Sequence, residues 1–277
     1  MLKRISLFIS FAAALFLLGT GSALADKPTP WQMGFQEAAT PVMVQLNDFH
    51  NLLLWIITAI TIFVLILLII VMLKFNEKAN PTPSKTTHNT LLEIVWTAVP
   101  VLILVAIAVP SFRLLYFADR THDAEMTLKI TGHQWYWSYE YPDHGNFGFD
   151  SFMVAEEDLE DGDLRLLTVD NKVVLPVDTN IRLLMASEDV IHNWAMPAFG
   201  IKLDTVPGRV NETWVRIDQE GLYHGQCSEL CGVNHGFMPI QVQAVSKEAY
   251  AEWVKGAQEE FARVDEKPAR IKLANAE

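Results

Sequence analysis

The segment 224-HGQCSELCGVNHGFMP-239 contains four side chains that can bind a transition metal. At successive offsets of four, four and three residues they are Cys227, Cys231, His235 and Met238. Thiolate, imidazole and thioether form a soft donor set, and the thioether in particular favours copper over zinc or a hard cation. Because one loop does not close a coordination sphere, we expect a second imidazole from His192, which lies in 187-SEDVIHNW-194 after a predicted strand.

The number of cysteines bears on the kind of site. A mononuclear blue-copper site needs one cysteine, two histidines and a weak axial methionine, so a second cysteine is surplus to it. Two thiolates can instead bridge two copper ions and leave one imidazole and one weak axial ligand for each ion. A Cys227–Cys231 disulfide, a zinc site with two cysteines and two histidines, and a turn with incidental polar residues remain as alternatives. Neither the disulfide nor the zinc site accounts for Met238.

Two long uncharged stretches precede this region. Residues 52–73 form a run of 22 residues without a charge, and residues 94–112 form a run of 19. Each run is long enough to cross the hydrocarbon core of a bilayer as a helix. We therefore predict a transmembrane hairpin of two helices within residues 48–117, with the helices at about 51–74 and 92–114.

Charges and small residues around these runs predict the orientation of the hairpin. Lys74, Lys78 and Lys85 outnumber Glu77 in the connecting loop, which places that loop in the cytoplasm. Residues 1–25 have the order of a secretory signal peptide, with a basic start, an apolar stretch and small residues before the expected cleavage site. A retained first membrane helix is the alternative, for which an apolar stretch of about 14 residues is short. Residues 26–47 would then be an extracytoplasmic segment.

The sequence after residue 120 changes to short segments rich in Val, Ile, Leu, Trp and Tyr, separated by Gly, Pro, Asn and Asp. Examples are residues 126–141, 172–177, 181–186, 210–217 and 237–245. This pattern predicts an all-β sandwich or barrel over residues 121–245. Residues 246–277 follow as an amphipathic helix to about residue 264 and a loose tail, because apolar residues recur at three- and four-residue spacing.

The predicted β domain accounts for the net charge of the chain. Residues 121–245 hold 20 acidic and 7 basic residues, a net charge of −13 against −12 for the whole chain. Such a field repels nucleic acid and favours a basic protein partner. Glu140, Asp170 and Asp189 are candidate docking residues. The alternative is that this charge only keeps the domain soluble.

Four motifs together resemble one known family. They are the C-x3-C-x3-H-x2-M loop, His192 in its S-E-D-V-I-H setting, 132-GHQWYWSYEY-141 and 91-LLEIVWTAVP-100. From about residue 49 to residue 245 the chain is similar to subunit 2 of the aa3-type cytochrome c oxidases. The resemblance implies a Greek-key cupredoxin barrel with a dinuclear copper (CuA) centre. Its implied ligands are His192, Cys227, Cys231, His235, Met238 and the backbone carbonyl of Glu229.

Three further roles come from the resemblance alone. The Glu229 side chain would reach a magnesium ion at the interface with subunit 1, although a carboxylate between two cysteines could simply be solvated. Trp135 would be the exposed residue that receives electrons from cytochrome c, whereas strand alternation places its ring in the core with that of Trp137. Glu93 matches a glutamate at the mouth of a proton path into subunit 1, and its alternative is a solvated helix flank.

The function that the resemblance implies is electron transfer in a bacterial inner membrane, with the CuA domain in the periplasm. Electrons would pass from cytochrome c to haem in subunit 1, where oxygen is reduced to water with proton pumping. Subunit 3 and membrane lipid are further expected partners. One rival is subunit 2 of a quinol oxidase without copper, against which the intact donor set argues. The other is a freestanding membrane-tethered copper carrier, which two membrane helices and Glu93 fit less well.

Overall fold

The computed structural model describes residues 27–121 and 123–261. The predicted signal peptide of residues 1–25 and the predicted tail lie outside the described residues. The chain divides into two units, one formed by Pro41–Arg120 and the other by the chain before Pro41 together with the chain from Thr121 onward.

The first unit is a pair of long helices, α1 (Pro41–Lys74) and α2 (Thr90–Asp119). Both are long and apolar enough to cross a membrane. They extend beyond the predicted spans because the polar residues at their ends continue the same helices. Pro100 and Pro110 lie inside α2, which continues through both of them, as expected of a membrane helix. The transmembrane hairpin is therefore confirmed as part of the fold.

In the part of the chain that the structure describes, the second unit is a β domain of ten strands in two five-stranded sheets. The strands are β1 (Met126–His133), β2 (Tyr136–Tyr141), β3 (Phe147–Ser151), β4 (Val173–Pro176), β5 (Ile181–Ser187), β6 (His192–Met196), β7 (Ile201–Thr205), β8 (Asn211–Val215), β9 (Gly221–Cys227) and β10 (Pro239–Val245). One sheet has the order β3-β2-β1-β5-β8 and the other β4-β10-β9-β6-β7. Alternate residues of these strands form one buried core that includes Leu128, Trp137, Trp194 and Val242. The predicted fold class, a two-helix transmembrane hairpin plus an all-β Greek-key cupredoxin barrel, is confirmed.

The aromatic run 132–141 departs from the alternation of a single extended strand. Alternation along a single strand placed the Trp135 ring in the core, but the chain turns at Gln134 and Trp135, between β1 and β2. These two strands pair as an antiparallel hairpin, with His133 opposite Tyr136. Trp137 and the alternating aromatic residues after it remain buried, whereas Trp135 is only half-buried. The turn interrupts the alternation, which is why the pattern was wrong at this residue.

Segments before and after the barrel also pack against it. Before α1, Ala39 exchanges backbone hydrogen bonds of 2.9 Å with Ala198 and Asp218, so the chain leaves the β domain at residue 40 and re-enters it at residue 121. After β10, helix α3 (Lys247–Phe261) buries Tyr250, and its Trp253 ring packs against Tyr141. Tyr250, Val254 and Ala257 form the buried face of this helix.

Candidate metal centre

Strand pairing brings the separated donors together. His192 is the first residue of β6 and Cys227 is the last residue of β9. These strands pair with Trp194 opposite Cys227, and the backbone N–H of Ser228 donates to the Asn193 carbonyl at 3.0 Å. This pairing brings His192 next to the cysteine loop.

The donor atoms form a compact cluster around the two sulfurs, and the ligand atoms of His192, Cys227 and Cys231 all lie within 4.8 Å of one another. The sulfur atoms of Cys227 and Cys231 are 3.9 Å apart. Nδ1 of His192 is 4.0 Å from the Cys227 sulfur, and Nδ1 of His235 is 3.5 Å from the Cys231 sulfur. The Met238 sulfur is 3.6 Å from that of Cys231. Each cysteine sulfur thus has an imidazole nitrogen within 4.0 Å, and the Cys231 sulfur also has a thioether beside it.

The arrangement fits a soft metal centre. Both cysteines are free thiols, and their separation far exceeds the bond of about 2.05 Å in a disulfide. His192 and Met238 are almost completely buried, and the backbone carbonyl of Glu229 lies 3.4 Å from the Cys227 sulfur. The group formed by His192, Cys227 and Cys231 is compatible with copper binding. A zinc site with four ligands would leave the buried thioether unused.

The two thiols differ in acidity. Burial disfavours the Cys227 thiolate, but hydrogen bonds that involve His192 and nearby backbone groups lower its pKa to about 7. Burial and the adjacent Cys227 charge raise the pKa of Cys231 to about 12. For His192, burial is outweighed by contacts with Cys227 and Asp189, and its pKa is raised.

Two glycines make room around the donors. A Cβ atom at Gly132 would lie 2.8 Å from the His192 ring and 2.8 Å from the Thr205 hydroxyl. A Cβ atom at Gly232 would lie 2.8 Å from the Trp135 ring, and the φ angle of Gly232 is +125°. The absence of side chains at these positions lets the two rings approach the loop. In the sequence, the only signal of these roles is the position of each glycine next to a motif residue.

The turn residues Gln134 and Trp135 are both hydrogen-bonded to the metal loop. The Gln134 side chain donates to the Cys231 carbonyl at 2.8 Å, and the Trp135 indole N–H donates to the same oxygen at 3.2 Å. Trp135 thus connects the protein surface with the backbone of a candidate ligand. No sequence pattern indicates Gln134, because its contact depends on the turn.

The predicted docking acids have separate partners. Glu140 is paired with Lys129 at 3.1 Å. Asp170 is exposed and accepts from the backbone N–H of Phe152 at 2.7 Å. Asp189 contacts His192 at 2.8 Å.

Two further glutamates were predicted as site residues. The Glu229 side chain is exposed on the metal loop. Glu93 lies in the first turn of α2, where its carboxylate accepts from the backbone N–H of Asn89 at 3.3 Å. With Thr90, Thr97 and Val101 it lines a shallow groove along that helix.

Comparisons with known proteins agree in both halves of the chain. Residues 126–245 match the family model described as cytochrome C oxidase subunit II, periplasmic domain, and residues 28–114 match its transmembrane domain. The probable cytochrome c oxidase subunit 2 of Rickettsia bellii is 52 % identical over 238 residues, covering 86 % of this chain and 88 % of the relative. Cytochrome c oxidase subunit 2 of Oenothera berteroana is 51 % identical, covering 84 % of this chain and 92 % of the relative.

A solved structure is also similar. The crystal structure of the periplasmic domain of subunit II of cytochrome oxidase from Bradyrhizobium japonicum is 49 % identical in sequence. The match covers 51 % of this chain and 99 % of that chain, with a TM-score of 0.48.

Proposed function

This chain belongs to the cytochrome c oxidase subunit II family, and from that premise we propose that its β domain holds a dinuclear copper centre that takes electrons from cytochrome c. Membership makes it an integral membrane subunit of a haem-copper oxidase, an oxidoreductase complex. The electron-transfer role, the metal content and the individual partners are the proposed parts.

The observation that carries the proposal is the pair of buried sulfurs 3.9 Å apart, with an imidazole beside each and the Met238 thioether adjacent. His192, Cys227, Cys231, His235, Met238 and the carbonyl of Glu229 would hold the copper pair. When bound, the pair would supply a one-electron redox couple between cytochrome c and haem in subunit 1, where oxygen is reduced to water with proton pumping.

In this proposal, the β domain fixes the positions of the donors and excludes water from them. His192 and Cys227 are buried, and strand pairing fixes their backbones. A site whose ligands are already placed needs little rearrangement when the charge changes. Trp135, half-exposed and bonded to the Cys231 carbonyl, is the proposed point at which electrons arrive from cytochrome c.

The acidic surface of the β domain is proposed to attract a lysine-rich cytochrome c. Its net charge of −13 would steer a basic partner over long range. Glu140 and Asp170 are candidates for this surface because both side chains are at least partly exposed. Asp189 contributes to the same field with the part of its carboxylate that solvent reaches.

Two glutamates are proposed to act at the interface with subunit 1. The exposed carboxylate of Glu229 would bind magnesium while its carbonyl faces the copper donors. Glu93 would stand at the mouth of a proton path into subunit 1, and the groove beside it fits an accessible acid. Its contact with the N–H of Asn89 also caps the helix, which is the structural alternative.

The proposed location is the bacterial inner membrane, with the β domain in the periplasm. The basic loop between the helices favours a cytoplasmic position, and the chain leaves and re-enters the β domain at the two ends of the hairpin. A signal peptide at residues 1–25 and contact with subunit 3 and lipid complete the proposal.

Purification of the chain from its native membrane tests this function against its rivals. Co-purification with a haem protein and two copper ions per chain in the β domain would support the proposal. A haem complex without copper in this subunit would indicate a quinol oxidase. Copper without a haem partner would indicate a freestanding carrier.

A further inference from the structure

The carboxylate of Asp189 lies between the candidate metal centre and the turn that carries Trp135. Its Oδ1 atom is 2.8 Å from Nε2 of His192, and its Oδ2 atom accepts a hydrogen bond of 2.6 Å from the backbone N–H of Gln134. Oδ1 also accepts from the backbone N–H of Val190 at 2.6 Å. Both oxygens are therefore used inside the β domain, although 32 % of the side chain remains exposed.

The contact with His192 decides which ring nitrogen faces the cysteines. An ionised carboxylate only accepts hydrogen bonds, so Nε2 of His192 carries the proton in this contact. Nδ1, which is 4.0 Å from the Cys227 sulfur, is then the nitrogen available to a metal. A carboxylate on the outer nitrogen of a ligand histidine also orients the ring and makes it a stronger donor.

The contact with Gln134 positions the neighbouring tryptophan. Gln134 and Trp135 form the turn between β1 and β2, and both side chains donate to the Cys231 carbonyl. The turn is thus held at two points, by Asp189 through its backbone and by Cys231 through its side chains. Movement of the Asp189 carboxylate would disturb both the His192 ring and the turn.

The other acids proposed for docking lack this pair of contacts. Glu140 is paired with Lys129, and Asp170 accepts from two backbone N–H groups, those of Phe152 and Asn171. None of these contacts involves a residue of the donor set. A role for Asp189 beyond its long-range field therefore has a structural basis that the other two acids do not share.

We propose that Asp189 is a positioning residue that holds the His192 ring and the Trp135 turn in register with the cysteine loop. The proposal rests on the proposed copper function and deepens it. A negative charge on a ligand imidazole stabilises the more positive, oxidised state of a bound metal, so removal of the charge should raise the midpoint potential.

Three variants of the full chain, purified within the assembled oxidase, separate positioning from docking. Asp189→Asn keeps the shape of the side chain and removes its charge, whereas Asp189→Glu keeps the charge and displaces the carboxylate by one methylene. Asp178→Asn is the matched control, because it removes an equal charge from an exposed ion pair with Arg216. Copper affinity, the midpoint potential, the electron paramagnetic resonance (EPR) spectrum and the association rate with cytochrome c are measured for each.

If Asp189 is a positioning residue, both Asp189 variants should alter the midpoint potential and the EPR spectrum relative to Asp178→Asn. Their copper affinity should fall by about 10- to 100-fold. If Asp189→Asn does not assemble, Asp189→Glu still decides, because a docking role depends on charge and would leave that variant normal. Parental spectra and potentials in the Asp189 variants, with slower association in Asp189→Asn alone, would overturn the proposal. A parental oxidase without a two-copper spectrum would instead refute the proposed function, and the positioning role with it.

Discussion

The barrel and the helical hairpin of this chain differ in how far they bury their own apolar residues. In the barrel, the strands bury their inward side chains against one another, Cys227, Cys231 and Met238 lie within the same core, and His192 is also buried. In the hairpin, α1 buries only Val42 and Met43, and α2 buries none of its described residues. The barrel is therefore complete within this chain, whereas the hairpin needs lipid or partner subunits to cover it.

This difference separates two kinds of function. A donor set enclosed by its own chain should bind its metal in a way that depends on few outside residues. A residue on an uncovered helix, such as Glu93, can act only together with the lipid or partner subunit that covers that helix. Substitutions of the donors in the barrel should therefore change the metal centre directly, and those in the hairpin should change turnover while the centre stays intact.

The largest effect is expected from Cys227→Ser or Cys231→Ser. Each thiolate would contact both copper ions, and a hydroxyl is a poor soft ligand, so either variant should lose the two-copper centre. Copper content per chain is the measurement, with Ser228→Ala in the same loop as the control. Both cysteine variants should still insert into the membrane. Unchanged copper content in either would contradict the assigned donor set.

Trp135→Gln should slow electron arrival by about tenfold or more, because the indole that links the surface to the Cys231 carbonyl is removed. Binding of cytochrome c should change little. Stopped-flow reduction of the copper centre measures the effect, and Trp31→Gln, at an exposed tryptophan of the N-terminal segment, is the control. Normal reduction in the Trp135 variant would move the point of electron arrival elsewhere.

For the hairpin, Glu93→Gln should lower steady-state turnover and leave reduction of the copper centre at its normal rate. The expected cause is a slower proton supply to subunit 1, since a neutral amide does not exchange protons as a carboxyl does. Glu77→Gln, in the loop between the helices, is the control. Slower copper reduction in the Glu93 variant would remove the distinction between hairpin and barrel.

Glu229→Gln tests the two proposed roles of a residue on the metal loop of the barrel. The variant retains the backbone carbonyl beside Cys227 and removes only the carboxylate charge. Binding of manganese in place of magnesium should weaken by about tenfold, while the copper spectrum persists. Equal manganese binding in parent and variant would show that the carboxylate is not a ligand.

The smallest effect is expected from Glu140→Gln and Asp170→Asn. Each should reduce association with cytochrome c by about twofold at low salt, because exposed charges contribute little individually and are screened beyond about 8 Å at physiological salt. Electron transfer after binding should be unchanged. Glu156→Gln, at an acid paired with Arg165, is the control. An association rate of the parent protein that does not vary with salt would remove the docking role.

Local sequence patterns predicted much of this structure, because the helices and the cysteine loop depend on residues that lie close together in the sequence. The uncharged runs predicted the helices, and the spacing of the cysteine loop predicted four of the donors. His192 was expected at the site because a strand precedes it. The Trp135 ring was misplaced by alternation because a turn depends on how two strands pair. The contact between Gln134 and Asp189 escaped prediction for the same reason, since it joins residues that are 55 positions apart.

We propose that two copper ions share the donors of the cysteine loop and His192. An EPR spectrum of the oxidised, purified oxidase, recorded with copper content per chain, tests it most directly. We predict two copper ions in this subunit and a multi-line pattern from one unpaired electron shared by both nuclei. The pattern of a single copper ion, or the absence of copper from this subunit, would contradict the account.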